Sequence, residues 1–174
     1  MQKKENTICF SGHRSEKLPQ NKKQLEKLKE RLWEEIDEAI ADGVNTFYFG
    51  ACYGFDLLCA DTVLKRKKVI KPNDPKEIRL IAVIPFEEQA KKWDETNRDM
   101  YYDILQKCDE ALMLNTYYCP GCYNQRNRYM VEQSSKMICY YDGGKGGTAY
   151  TVKYAEQNNL HIKNLYENDK NKPL

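Results

Sequence analysis

Short apolar runs of strand length alternate along this chain with longer stretches whose apolar residues recur every three or four positions. Thr7–Ser11 reads as a first strand. Over 21–42, Leu25, Leu28, Leu32, Ile36, Ala39 and Ile40 form one stripe, the mark of an amphipathic helix, and Gly43 stands just past its end. Thr46–Gly50 reads as a second strand and Phe55–Lys68 as a second helix, followed by a proline-marked loop at Lys71–Pro75. Ile78–Ile84 is a third strand that Pro85 closes, and helical segments are expected over 87–93 and 96–107. Ala111–Leu114 is a short fourth strand, 115–121 a loop and 123–135 a helix. A strand at Met137–Tyr141, a glycine loop, a helix at 148–158 and a last strand at 160–163 complete the pattern.

Strands that alternate with helices imply right-handed crossovers and a mostly parallel sheet with helices on both faces, an α/β fold. At 174 residues one domain is the economical reading, large enough to bury roughly 70% of its unfolded surface. Neither a repeat nor a linker divides it; the domain is expected over 1–165, with ENDKNKPL in a polar tail at 166–174. The composition, 41% hydrophobic and 31% charged, is that of a globular protein. Its apolar runs are far shorter than the roughly 20 residues that cross a bilayer, so no membrane partner is expected. The start, MQKKENTICF, shows no signal-peptide pattern. With seven cysteines, an odd number placed mostly beside apolar residues, this points to reduced thiols and a cytoplasmic location. A net charge of +2 argues against a dedicated nucleic-acid binder.

In open parallel sheets ligands bind at the carboxyl ends of the strands, and the unusual residues of this chain fall there. The run from Asp142 through Gly143, Gly144, Lys145, Gly146 and Gly147 lets backbone N–H groups approach an anion without an intervening Cβ. Thr148 is expected to cap the following helix. The loop departs from Walker A because Gly146, not Ser or Thr, follows Lys145, and its G-x-G-x-x-A spacing lies after a late strand rather than the first. A turn without a ligand is the bland alternative. After the first strand, Gly12 allows a tight exit, Arg14 can pair with phosphate, and His13 can bind a ligand, move a proton or simply support the loop.

Gly50 and Gly54 flank a second turn, in which Asp56 either caps a helix or accepts bonds from ribose hydroxyls. Arg126 and Asn127 open a later helix on one side of a pocket or form an ordinary polar turn. Pro85 and Phe86 lead to Glu87, an acid or base candidate or an ordinary first-turn carboxylate. Cys119 and Cys122 form a lone C-x-x-C: too few ligands for zinc, and either a redox pair, placed where a helix start would stabilise a thiolate, or incidental cysteines of a flexible loop, the preferred reading. No metal site is expected.

In order along the chain, CFSGHRSEKLP, GACYGFDLLCAD, AVIPFE, RNRYMVE and YDGGKGGTAYTVKYA resemble the YpsA-like branch of the SLOG superfamily, which unites LOG phosphoribohydrolases with DNA-processing Smf/DprA proteins. The resemblance spans about 7–163 and implies a single Rossmann-like domain of bacterial type. It also implies a nucleotide-related ligand contacted through Gly12, Arg14, Gly50, Gly54, Asp56 and the loop from Gly143 to Thr148. LOG enzymes carry a glutamate three residues after the loop threonine, where this chain has Thr151. Three functions follow as expectations. The first is a sensor or sequestering protein for a nucleotide-type ligand: an adenine nucleotide, an ADP-ribose-like molecule or a nucleotide sugar. The second is a nucleotide hydrolase using Glu87 and His13. The third is an adaptor whose protein partner or homo-oligomer is tuned by the ligand.

Overall fold

The computed structural model describes residues 4–167; most of the polar tail expected at 166–174 lies outside the described residues. Six strands form one all-parallel sheet: β1 (Thr7–Gly12), β2 (Thr46–Phe49), β3 (Arg79–Ile84), β4 (Glu110–Met113), β5 (Lys136–Tyr140) and β6 (His161–Asn164). Their spatial order is β4-β3-β2-β1-β5-β6. Five α-helices connect them: α1 (Lys22–Ala41), α2 (Phe55–Lys67), α3 (Glu95–Lys107), α4 (Cys122–Glu132) and α5 (Gly147–Gln157).

Alternation along the strands builds two cores. Phe10, Phe47, Phe49, Leu80 and Ala82 point to the face covered by α1, α2 and α3, where Leu32, Ile36, Phe55, Val63 and Ile104 meet them. Cys9, Tyr48, Ile81, Val83 and Cys139 point to the opposite face, under Met130, Val131, Val152 and Ala155 of α4 and α5. Central strands buried on both faces explain the continuous apolar runs that marked them in the sequence.

The helix expected at 87–93 is corrected: this stretch is a series of turns, and α3 begins only after Asp94, whose carboxylate accepts from the Asn97 N–H at 3.0 Å. Asn97 Nδ2 also holds that carboxylate, so a local side-chain cap sets the start of α3. At the C-terminal side, Leu165 is buried, Tyr166 packs edge-on against Tyr140 at 5.3 Å, and Glu167 pairs with Arg31 at 3.0 Å.

Candidate functional site

The strand order reverses at β1, which has β2 on one side and β5 on the other, so α2 and α5 diverge to opposite faces. A crevice opens where they part, at the carboxyl ends of β1 and β5. It holds a cavity of about 620 Å³. The β1 exit contributes Gly12, His13 and Arg14, and the β2–α2 segment contributes Cys52, Tyr53 and Asp56. From α4 come Tyr123, Arg126, Asn127 and Met130, and from the glycine loop and α5 come Lys145, Gly146, Gly147, Thr148 and Thr151.

His13 is fixed from both ends: its N–H donates to the Tyr140 carbonyl at 3.3 Å, and its carbonyl accepts from the Phe55 N–H at 3.1 Å. The buried ring places Nε2 2.8 Å from Asp142 Oδ1 and 3.1 Å from the Asp142 backbone N. One nitrogen either donates to the carboxylate or accepts from the amide, so the His13 tautomer decides which bond forms. Asp142 Oδ1 also accepts from the Gly144 N–H at 2.9 Å, and that bond first, then His13, holds this carboxyl below its ordinary range. The pairing has a simple origin that the sequence reading missed. Gly12 of β1 stands opposite Tyr140 of β5, so the residues just beyond both strand ends meet.

Thr148 does not cap α5. The structure makes Gly146 the N-cap, with φ 136° and no side-chain cap bond, and the helix begins at Gly147. The first N–H groups of a helix lack partners within it and carry its positive pole. Here they belong to residues of the cavity wall that no capping side chain covers. Thr151, also in the cavity wall, donates to the Gly147 carbonyl at 2.9 Å.

Asp56 lies in the first turn of α2, whose N-cap is Gly54 rather than a side chain. Only 7% exposed, it has no hydrogen-bond partner for Oδ1 among the described residues. Burial pushes its pKa up to about 6, outweighing the Arg126 guanidinium and the Cys52 N–H, which favour the charged form. Buried Arg126 donates through Nη1 to the Gly50 carbonyl and through Nε to Asn127 Oδ1 at 2.6 Å. Arg14 is exposed, with its guanidinium carbon 5.2 Å from the Tyr53 ring centre.

The site residues expected from sequence therefore separate. Gly12, His13, Arg14, Asp56, Arg126, Asn127, Gly146, Gly147 and Thr148 meet around the cavity. Gly50 and Gly54 lie against protein instead: a Cβ at Gly50 would stand 2.6 Å from Arg126 Nη1, and one at Gly54 2.6 Å from the Ser15 N. Gly12 is similarly crowded by the Phe55 ring at 2.4 Å, although it also reaches the cavity. Gly143 and Gly144 form the turn that leads into the loop, Pro85 is buried, and exposed Glu87 lines neither of the two large cavities. Phe86 lines the second of these, a space of about 720 Å³.

All seven cysteines are free thiols. Of the two C-x-x-C readings, the redox pair finds no support at Cys119, whose thiol is pushed upward by partial desolvation and then by the neighbouring Cys122. Among the described residues, no group of three or more His, Cys, Asp or Glu could hold a metal ion, and no helix is long and apolar enough to cross a membrane.

Comparison with known proteins places this geometry in a family. The YpsA family model, described as the YspA SLOG family, matches residues 8–169. The UPF0398 protein BH1768 of Halalkalibacterium halodurans is 28% identical over 156 residues, covering 86% of this chain and 80% of the relative. The uncharacterized SPbeta prophage-derived protein YoqJ of Bacillus subtilis is 29% identical over 147 residues, covering 77% and 83%. Among solved structures, TM1055 superposes with a TM-score of 0.55 at 15% identity, covering 90% of this chain and 71% of that one. DNA processing protein A of Streptococcus pneumoniae superposes with a TM-score of 0.57 at 14% identity, covering 91% and 50%. At these identities the structural matches show the shared Rossmann-like fold.

Proposed function

The chain belongs to the YspA SLOG family, and we propose that it is a cytoplasmic binding protein that senses or sequesters a nucleotide-related small molecule. One observation carries the reading: Asp56, whose buried Oδ1 has no partner among the described residues, and an uncapped helix N-terminus line the same 620 Å³ cavity. A leftover acceptor and a set of leftover donors are complementary to a molecule that carries both hydroxyls and an anion. Phosphate sits against Gly146, Gly147 and Thr148, where N–H groups and the α5 dipole attract it. Arg14 adds a full charge. Asp56 Oδ1 accepts from a sugar hydroxyl, which relieves its unsatisfied burial. Tyr123, in the same wall, offers a ring to the base.

Adenine nucleotides, ADP-ribose-like molecules and nucleotide sugars all meet these demands. A thermal-shift screen across them tests the proposal, because a ligand at 100 times its dissociation constant adds about 2.7 kcal/mol of stability. The expected result is a rise in Tm with at least one of them that Arg14→Ala diminishes. No rise with any of them, at millimolar concentration, contradicts the reading.

A hydrolytic reading is favoured by one observation, a cavity carboxyl whose pKa of about 6 suits proton transfer near neutrality. In that reading Asp56 and His13 are the proton-handling pair, with Glu87 outside the cavity. Chromatography of the bound nucleotide after long incubation separates the two. Released base or phosphate, lost in Asp56→Asn, supports hydrolysis; an intact nucleotide contradicts it.

A further inference from the structure

The geometry points to a two-headed ligand: two ring-bearing halves joined by an anionic linker, the class of a dinucleoside diphosphate, with its second ring in the 720 Å³ cavity. This inference rests on the nucleotide reading above and extends it to a space that reading leaves unused. The two cavities share Arg14, Tyr53 and Tyr123, so they adjoin along one boundary that these three side chains form. Each is of the size that holds one drug-sized ligand, about 300–1,000 Å³. Two single-ligand chambers that share a wall suit a molecule with two comparable parts.

The chemistry of the second chamber is that of a ring binder. Its aromatic residues meet edge to face: Phe86 with Tyr118 at 5.5 Å and 80°, and Tyr53 with Trp93 at 5.1 Å and 75°. Phe86 also meets Tyr123 at 5.8 Å and 80°. Each contact sets the edge of one ring against the face of another and so fixes the cluster, and the exposed Tyr118 is the ring a flat guest can reach. Tyr118 is 62% and the neighbouring Tyr117 82% exposed, an aromatic exposure concentrated at this mouth. At the shared boundary, the Arg14 guanidinium lies over the Tyr53 ring, where it can face a bridging diphosphate from either chamber. The surrounding charge suits a neutral ring on an anionic stem: Lys91 pairs with Glu88 at 3.3 Å, and Lys92 has no ion pair among the described residues.

Isothermal titration calorimetry with the four common ribonucleoside monophosphates and their dinucleoside diphosphates tests this. The expected result is that at least one dinucleotide binds tenfold or more tightly than its monophosphate. Tyr118→Ala removes about tenfold of dinucleotide affinity, the order of a lost base–aromatic stack, and leaves the monophosphate unchanged. A monophosphate that binds as tightly as its dinucleotide overturns the inference while leaving the nucleotide reading intact. So does a Tyr118→Ala variant that weakens both probes equally. Silence with every probe overturns this inference, and the thermal-shift screen, whose probes also include nucleotide sugars, decides the nucleotide reading separately.

Discussion

Two glycine turns, each joining a strand to a helix at the same rim of the sheet, do opposite jobs. In the turn between β2 and α2, Gly50 and Gly54 are pressed against protein: Arg126 occupies the space beside one, and the Arg14–Ser15 backbone the space beside the other. In the turn between β5 and α5, a Cβ at Gly143, Gly146 or Gly147 would meet nothing within 4 Å. The first turn makes room for the protein's own arginine and a neighbouring loop; the second leaves room for something else. A glycine is thus a binding signal only when the space it clears stays empty, which composition alone does not reveal.

The largest expected effect that tests this contrast is at Gly54, whose φ of 99° disfavours any side chain and whose Cβ would stand 2.6 Å from backbone. Gly54→Ala should cost about 3 kcal/mol or more in chemical denaturation, from backbone strain and overpacking together. A loss under about 1 kcal/mol would show that the β1 exit is loose rather than packed.

A second effect, opposite in sign, is expected beneath the cavity. The folded pKa of Asp56, about 6, lies above its ordinary 3.8, so ionisation disfavours the fold. The contribution of Asp56 to stability should fall as pH rises through that interval and then level off. Asp56→Asn should therefore raise stability by about 1–3 kcal/mol above pH 6, with the gain shrinking towards pH 4, in Tm measurements across pH. The same substitution should weaken nucleotide binding, the compromise expected where a buried carboxylate is kept for a ligand. A variant less stable than the parent at pH 8 would mean that Arg126 needs Asp56 more than burial disfavours it.

The smallest stability effect belongs to the open turn. Gly147→Ala should change stability by less than about 1 kcal/mol, because its Cβ meets nothing and alanine restricts the unfolded chain. It should nevertheless weaken nucleotide affinity severalfold in calorimetry by obstructing the approach to the α5 amides. Unchanged affinity together with unchanged stability would remove Gly147 from the site.

The fold was legible because its central strands are buried on both faces and its helices on one, so the two periods do not overlap. β2 and α2 were located within one residue, Thr46–Phe49 and Phe55–Lys67. The stretch 87–93 misled because its local spacing imitates a helix, while Asp94 starts the real one later. Of the candidate site, the strand-end residues Gly12, His13, Arg14 and Asp56 were readable from their positions. The His13–Asp142 pair was not, since it depends on β1 and β5 being neighbours across 129 positions of chain. Nor was the aromatic chamber, whose rings come from four separate stretches. The C-x-x-C drew attention by its spacing and its place before a helix, but partial desolvation and the neighbouring Cys122 raise the Cys119 thiol rather than lower it.

The most direct test of the central claim is a backbone-amide NMR titration with ADP. The account predicts that the resonances of Gly146, Gly147 and Thr148 shift together with that of Asp56 and saturate at one common dissociation constant, while Gly43, a glycine far from the crevice with a free space of its own, stays unmoved. Shifts that leave out the 146–148 amides, or that follow different affinities at Asp56 and at the loop, would contradict a single cradle shared by α2 and α5.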